Sequence, residues 1–119
     1  MDELIKIAKA LSDRNRVRIL KMLESKPMCV CEITSVLGLA TSTVSSHLSL
    51  LRDAGLITDR KDGKWVEYRL KDKNTSVAVE KFIELISTLL NDDEIIKNDI
   101  LKAFNANREL ISMALTLPK

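Results

Sequence analysis

The amino-acid sequence predicts a mainly α-helical chain with one small β-hairpin, on three observations. Apolar residues recur at helical spacing over most of the 119 residues. One stretch, "LITDRKDGKWVEYRL", instead alternates in the manner of strands around an Asp-Gly pair suited to a tight turn. Aromatic residues make up only 3% of a chain that is 45% apolar, so the core must be built from Leu, Ile, Val and Ala. The length suits one domain with a single modest core.

The elements follow in order. "DELIKIAKALS" sets Leu4, Ile5, Ala8 and Leu11 along one helical face. Ser12 and Asp13 form a cap before a second helix, "RNRVRILKMLES", with an expected buried stripe of Val17, Leu20, Met22 and Leu23. Pro27 closes that helix or opens the next turn. A short third helix, "CEITSVLG", has Gly38 at its C-terminal end, where a left-handed residue is favoured. After the tight connection "GLAT" comes a fourth helix, "STVSSHLSLLRDAG", with Val44, Leu48 and Leu51 on one face. The hairpin follows. Beyond Asn74 the helical period resumes in "SVAVEKFIELISTLLN", with Val79, Phe82, Ile83, Ile86, Leu89 and Leu90 on a broad apolar face. Residues 92–119 read as one or two further short helices, with Asp92 as the expected cap.

A short helix, a tight turn, a second helix and a two-stranded ribbon is the order of a winged helix-turn-helix. Its fourth helix opens with Thr41, Ser42, Thr43, Ser45 and Ser46, followed by His47. Small hydroxylic side chains in the first turns of such a helix can meet base edges and phosphates. Arg60, Lys61 and Lys64 cluster near the hairpin tip, where a wing can reach a DNA backbone. The alternative for each residue alone is plainer: Ser and Thr are good caps, and Lys keeps an edge soluble. The whole order, with hydroxyls on one element and cations on the next, favours DNA binding. Charge adds a little: residues 1–73 carry 14 Lys/Arg against 10 Asp/Glu, while 74–119 carry 5 against 7. Trp65 and Tyr68 are expected to pack the wing rather than stack on bases.

Both cysteines of the chain, Cys29 and Cys31, lie one residue apart at the mouth of the third helix. With no apolar run long enough to span a membrane and no long apolar stretch in "MDELIKIAKALSD", the chain is expected in the cytoplasm. In a reducing compartment a close thiol pair reads as metal-binding or redox-active rather than as a structural disulfide. Soft thiolates favour As(III), Sb(III), Cd(II) or Hg(II) over hard cations. Free cysteine also packs as a small hydrophobe, and adjacent low-pKa thiols oxidise readily, so a structural pair and a redox pair stand beside the metal reading. A helix N-terminus should lower a thiol's pKa. In a regular helix residues i and i+2 project about 200° apart. Gripping one ion is therefore expected to unwind the first turn of the third helix.

"ALSDRNRVRILKMLE", "CVCEITSVLGLATSTVSSHLSLLRDAGLI" and "DRKDGKWVEYRL" together resemble the ArsR-type metalloregulators over about residues 4–90. The resemblance implies a homodimeric winged-helix repressor that leaves its operator DNA when a metal or metalloid binds. In the arsenic-sensing branch the ligands are thiolates at the positions of Cys29 and Cys31. Two departures are visible: a third cysteine common in the family is Thr34 here, and an Arg common before the recognition-helix His is Ser46. With His47 the sole histidine, a site of His and carboxylates on the C-terminal dimer helix cannot form.

The expected organisation is a winged helix-turn-helix domain with its dimerisation helices over residues 1–91 and an extension of unassigned role over 92–119. The first helix and the helix near 75–90 are expected to form the dimer interface. The expected partners are double-stranded operator DNA and a second copy, with no membrane. The expected inducer is As(III), Sb(III) or another thiophilic ion. An enzyme is disfavoured by the lack of a Gly-rich phosphate loop and of a Ser/His/Asp set. An interaction module that binds no DNA remains the other alternative.

Overall fold

The computed structural model describes residues 1–72 and 76–116, with side chains described for 1–72 and 76–114. Asn74 and residues 117–119 of the expected extension lie outside the described residues. Helices α1 (Asp2–Leu11) and α2 (Arg14–Ser25) meet at Asp13, which caps α2 by accepting from the amides of Asn15 at 2.8 Å and Arg16 at 3.1 Å. The helix-turn-helix follows as α3 (Val30–Leu37) and α4 (Thr41–Asp53), joined by Gly38, Leu39 and Ala40. Gly38 adopts φ +68°, and its amide donates to the Thr34 carbonyl at 2.8 Å, so the expected left-handed cap closes α3.

Ile7, Ile19, Leu20, Met22, Ile33, Val44, Leu48, Leu51, Leu56 and Ile57 are buried together between α1, α2, the helix-turn-helix and the hairpin. The expected stripe of α2 is buried apart from half-buried Val17, and Ile19 joins it. No helix of the described residues is long and apolar enough to cross a membrane.

The wing has one strand more than the hairpin. Strands β2 (Ile57–Asp62) and β3 (Trp65–Leu70) pair antiparallel around a two-residue turn in which Gly63 adopts φ +60°. A short strand β1 (Met28–Cys29) pairs with the other edge of β3, Met28 opposite Tyr68 and Cys29 opposite Glu67. Two residues between Pro27 and a helix carry no alternation that could announce a strand. Their place in the sheet follows from the burial of both.

Two expected boundaries shift. Helix α5 (Val77–Ser87) starts under its Ser76 cap but stops four residues earlier than the apolar pattern suggests. The Ser87 and Thr88 hydroxyls bond back to the carbonyls of Glu84 and Leu85, and Leu90 takes φ +64°. Fully buried Lys21 donates to the freed Ile86 carbonyl at 3.0 Å and to Asn91 Oδ1 at 3.0 Å, and it pairs with Glu24 at 2.8 Å. Val79 is buried, and Phe82, Ile83 and Ile86 pack on the protomer's own core rather than facing outward with Leu89 and Leu90.

The C-terminal segment forms two helices, α6 (Glu94–Asn105) and α7 (Arg108–Thr116). Asp93, not Asp92, caps α6, accepting from the amides of Ile95 and Ile96. Helix α6 lies across α2 and α3, and α7 lies on α3. Ile96 and Ala103 are buried there, and Arg18 of α2 grips Asp99 with two bonds, Nε–Oδ2 at 2.8 Å and Nη2–Oδ1 at 2.9 Å.

Asp99 is 1% exposed, so removing it strands a guanidinium in a largely dry contact. Asp99→Ala is expected to cost about 3 kcal/mol in urea unfolding. A loss below about 1 kcal/mol would show that α6 is not anchored by this pair.

Candidate thiol site and nucleic-acid interface

Cys29 occupies three roles at once. It ends β1, it is the N-cap of α3 with extended backbone (φ −87°, ψ 166°), and it supplies half of the thiol pair. Glu32, three residues on, completes a capping box: its carboxylate accepts from the Cys29 amide at 2.9 Å while the Cys29 sulfur faces the Glu32 amide. Because Cys29 lies outside the helix, its side chain swings back over the first turn, and the two sulfurs stand 2.8 Å apart. The expectation that the pair cannot converge without unwinding α3 is therefore corrected. The 200° rule applies to two residues inside a helix, and only Cys31 is inside.

The expected low pKa is corrected as well. Cys29 is 2% exposed, and burial, reinforced by the bond shared with Cys31, pushes its thiol up to about 12. The neighbouring Glu32 carboxylate adds to the rise, and the helix-start amide opposes it without prevailing. In the free protein Cys29 is a protonated thiol.

The pair opens into a cleft of about 630 Å³. Leu39, Trp65, Val66 and Ile111 give it apolar walls from the helix-turn-helix turn, the wing and α7. Among the described residues there is no group of three His, Cys, Asp or Glu side chains able to hold a metal ion. Thr34, three residues beyond Cys31, donates its hydroxyl to the Cys31 carbonyl at 2.9 Å.

Charged side chains tie this site to the wing. Glu32 is 3% exposed and pairs with Arg108 of α7 at 3.0 Å and Lys26 at 3.7 Å. Arg108 also reaches Glu67 of β3 at 3.3 Å and Asp62 at 3.7 Å. The hydrogen bond from Arg69, opposed by burial and aided by Arg108, holds the Glu67 carboxyl below its usual range. Glu109 accepts from Trp65 Nε1 at 3.2 Å and lies 3.9 Å from Lys64, whose ammonium sits 4.9 Å from the Trp65 ring centre. Trp65 is thus packed within the wing region.

The remaining sequence-derived residues fall into two groups. Thr41, Ser42, Thr43, Ser45 and Ser46 are all exposed along the start of α4. None of them caps the helix, because the N-cap is Ala40, so the capping alternative does not account for them. Lys61 is exposed and makes no ion pair within the protomer among the described residues, whereas Arg60 lies 3.4 Å from Glu67 and Lys64 is shared with Glu109. His47 differs: it is half-buried, and its Nδ1 accepts from Arg16 Nη1 at 3.2 Å. Arg16 is itself held by the carbonyls of Ala10 and Lys9, so the ring is turned toward α1 and α2.

The family described as "Bacterial regulatory protein, arsR family" matches residues 13–59, the span from the α2 cap into β2. The arsenical resistance operon repressor of Escherichia coli is 45% identical over 67 residues, covering 56% of this chain and 57% of that protein. An uncharacterized HTH-type transcriptional regulator of Methanocaldococcus jannaschii is 39% identical over 84 residues, 70% of this chain and 90% of the other. Among solved structures, HlyU from Vibrio cholerae superposes with a TM-score of 0.62 at 35% identity, covering 74% of this chain and 91% of that one.

The chain belongs to the arsR family.

The fold and relatives are those of DNA-binding transcriptional regulators. Alignment with the regulators of cadmium and arsenic resistance spans between 51% and 66% of their length. In this ArsR-family chain the sequence reading missed Arg108 and Ile111, which no local pattern marks. Glu32 does carry a signal, the three-residue capping-box spacing from Cys29.

The raised Cys29 thiol has a direct consequence. Its folded-state value of about 12 lies above the ordinary 9.0, so the folded protein holds this proton more tightly than the unfolded chain. Stability is insensitive to this group below about pH 9 and falls as the pH rises toward 12. Alkylation of Cys29 by iodoacetamide, mapped by mass spectrometry, is expected to be slow at pH 8 and to climb steeply above pH 9. Reaction at pH 8 as fast as a free thiol would contradict the buried, protonated state.

Proposed function

We propose that this chain is a repressor that binds operator DNA as a homodimer and lets go when a thiophilic ion or metalloid, As(III) or Sb(III) foremost, is captured by Cys29 and Cys31. The observation that carries the reading is the 2.8 Å sulfur pair seated where the helix-turn-helix joins the wing sheet. The arsenical and cadmium resistance regulators among the relatives support an inducer of this class. In this reading α4 enters the major groove with Thr41, Ser42, Thr43, Ser45 and Ser46, His47 bracing it from behind. Lys61, with Arg60 and Lys64, meets phosphate. The apolar faces left open on α1 (Leu4, Ile5) and α5 (Val77, Leu85) support a two-fold interface between copies. Such a regulator works in the cytoplasm.

The transmission runs through the sheet. Two thiolates on one ion such as zinc, with bonds of about 2.3 Å, stand roughly 4 Å apart, so the pair must open. Cys31 is held in the first turn of α3, and Cys29 is held by β1 and by its bond to Glu32, so opening the pair loads those contacts. Displacement of Cys29 strains the pairing of β1 with β3 and the bond to Glu32, and so re-aims the wing. Reversing a 99:1 preference for the docking form needs about 10⁴-fold tighter binding to the other form, around 5.5 kcal/mol. Two strong metal–thiolate bonds can supply that difference.

A second reading has its own support in the same sulfur distance: a two-electron oxidant such as peroxide could join the two thiols as a disulfide with release of water. Arsenite and peroxide titrations of the protein–operator complex separate the two.

Cys29→Ser and Cys31→Ser are each expected to keep operator affinity within about threefold in a gel shift and to abolish release by arsenite. Normal release by either variant would end the thiol-inducer reading. Lys61→Ala is expected to weaken binding to specific and non-specific DNA alike and to lower the salt slope by about one. An effect confined to one DNA sequence would instead make Lys61 a base-reading residue.

A further inference from the structure

We infer that the thiol site is built for a mono-organyl arsenic(III) compound, R–As(OH)₂, whose hydrocarbon group lies against the apolar wall formed by Leu39, Trp65, Val66 and Ile111. The inference rests on the reading above that Cys29 and Cys31 capture the inducer, and names its chemical class. Three observations converge on it. The site offers two sulfurs, and the described residues hold no group of three donors about them. Glu32, the nearest carboxylate, is already committed to the Cys29 amide, Arg108 and Lys26. The cleft beside the sulfurs holds about 630 Å³, well beyond what a bare ion needs and within the range of small-molecule sites.

The chemistry then balances without a third protein ligand. Both hydroxyls of R–As(OH)₂ exchange for sulfur: two As–O bonds break, two As–S bonds form, and the two thiol protons leave with the hydroxides as two waters. Arsenic stays trivalent, and its carbon bond is untouched and fills the third position. Arsenite bound the same way keeps one hydroxyl and buries no carbon against Leu39, Val66 and Ile111, although Ser35, Thr41 and Lys64 also line the cleft. The Thr34 hydroxyl, one of the polar groups of the cleft, already spends its proton on the Cys31 carbonyl. The C-terminal extension gains a role in this account. Arg108 pins the start of α7 to Glu32, Glu67 and Asp62, and Glu109 ties it to Trp65. The next turn places Ile111 in the wall of the cleft.

Trp65 is the only tryptophan of the chain and lines the cleft, so its fluorescence reports occupancy without DNA. The reduced full-length protein is titrated with arsenite, methylarsenous acid and phenylarsenous acid. Phenylarsenous acid is expected to bind about ten- to a hundredfold more tightly than arsenite, from the apolar area a ring buries, with the methyl compound between them. Ile111→Ser is expected to cut the preference for phenylarsenous acid over arsenite severalfold. Val66→Ser, on the opposite wall, should do the same if the first variant disturbs α7. Arsenite binding as tightly as phenylarsenous acid overturns the inference and leaves the thiol-inducer reading standing. A preference that survives both substitutions also overturns it, since the ring would then lie elsewhere. A response to any of the three arsenicals in Cys29→Ser overturns this inference and the proposed function together.

Discussion

The hydrogen bond from the Cys29 amide to the Glu32 carboxylate, 2.9 Å long and buried, is the constraint on which the site depends. It fixes Cys29 as the cap of α3 rather than its first turn. From that follow the extended backbone that lets Cys29 pair with Glu67 in the sheet and the swing that brings its sulfur to Cys31. A carboxylate so deeply buried needs compensation, and Arg108 and Lys26 supply it. The cap therefore recruits α7, and through Arg108 it recruits the wing.

In the proposed reading, this arrangement changes how a signal leaves the thiols. A pair inside a helix would act by breaking that helix. On that reading, a pair astride a helix cap and a sheet edge acts on both neighbours, because Cys29 is bonded to each. Glu67 lies at the crossing point. It stands opposite Cys29 in β3, accepts from Arg69 and Arg108, and faces Arg60 of β2. A shift at Cys29 thus reaches a wing cation through one carboxylate.

Helix α4 is stiffened by different means. Val44, Leu48 and Leu51 bury its inner face, and His47 is braced by Arg16, which is tied to the end of α1. The hydroxyls on the outer face take no part in capping. Buried apolar contacts thus set the helix in place and leave the exposed residues free for the recognition proposed for them.

Much of this protein was legible in local pattern. The helical period, Gly38, the Asp13 cap and the Asp-Gly turn each act within a few residues of chain, so they specified the helix-turn-helix and the hairpin, and the order of elements named the architecture. The run of hydroxyls and the Cys-x-Cys pair were likewise plain to read. Other features depend on residues far apart in the chain and left no local mark. Strand β1 exists because β3 offers it an edge. Helix α5 ends early because its own hydroxyls turn back on it and Lys21, more than sixty residues before, donates to the freed Ile86 carbonyl. The Cys29 thiol is raised by burial that a helix-dipole argument cannot see. The extension becomes part of the site because Arg18 and Arg108 find carboxylates 81 and 76 residues away along the chain. Periodicity reports which face a residue shows, whereas desolvation and long-range ion pairing exist only once the faces have met.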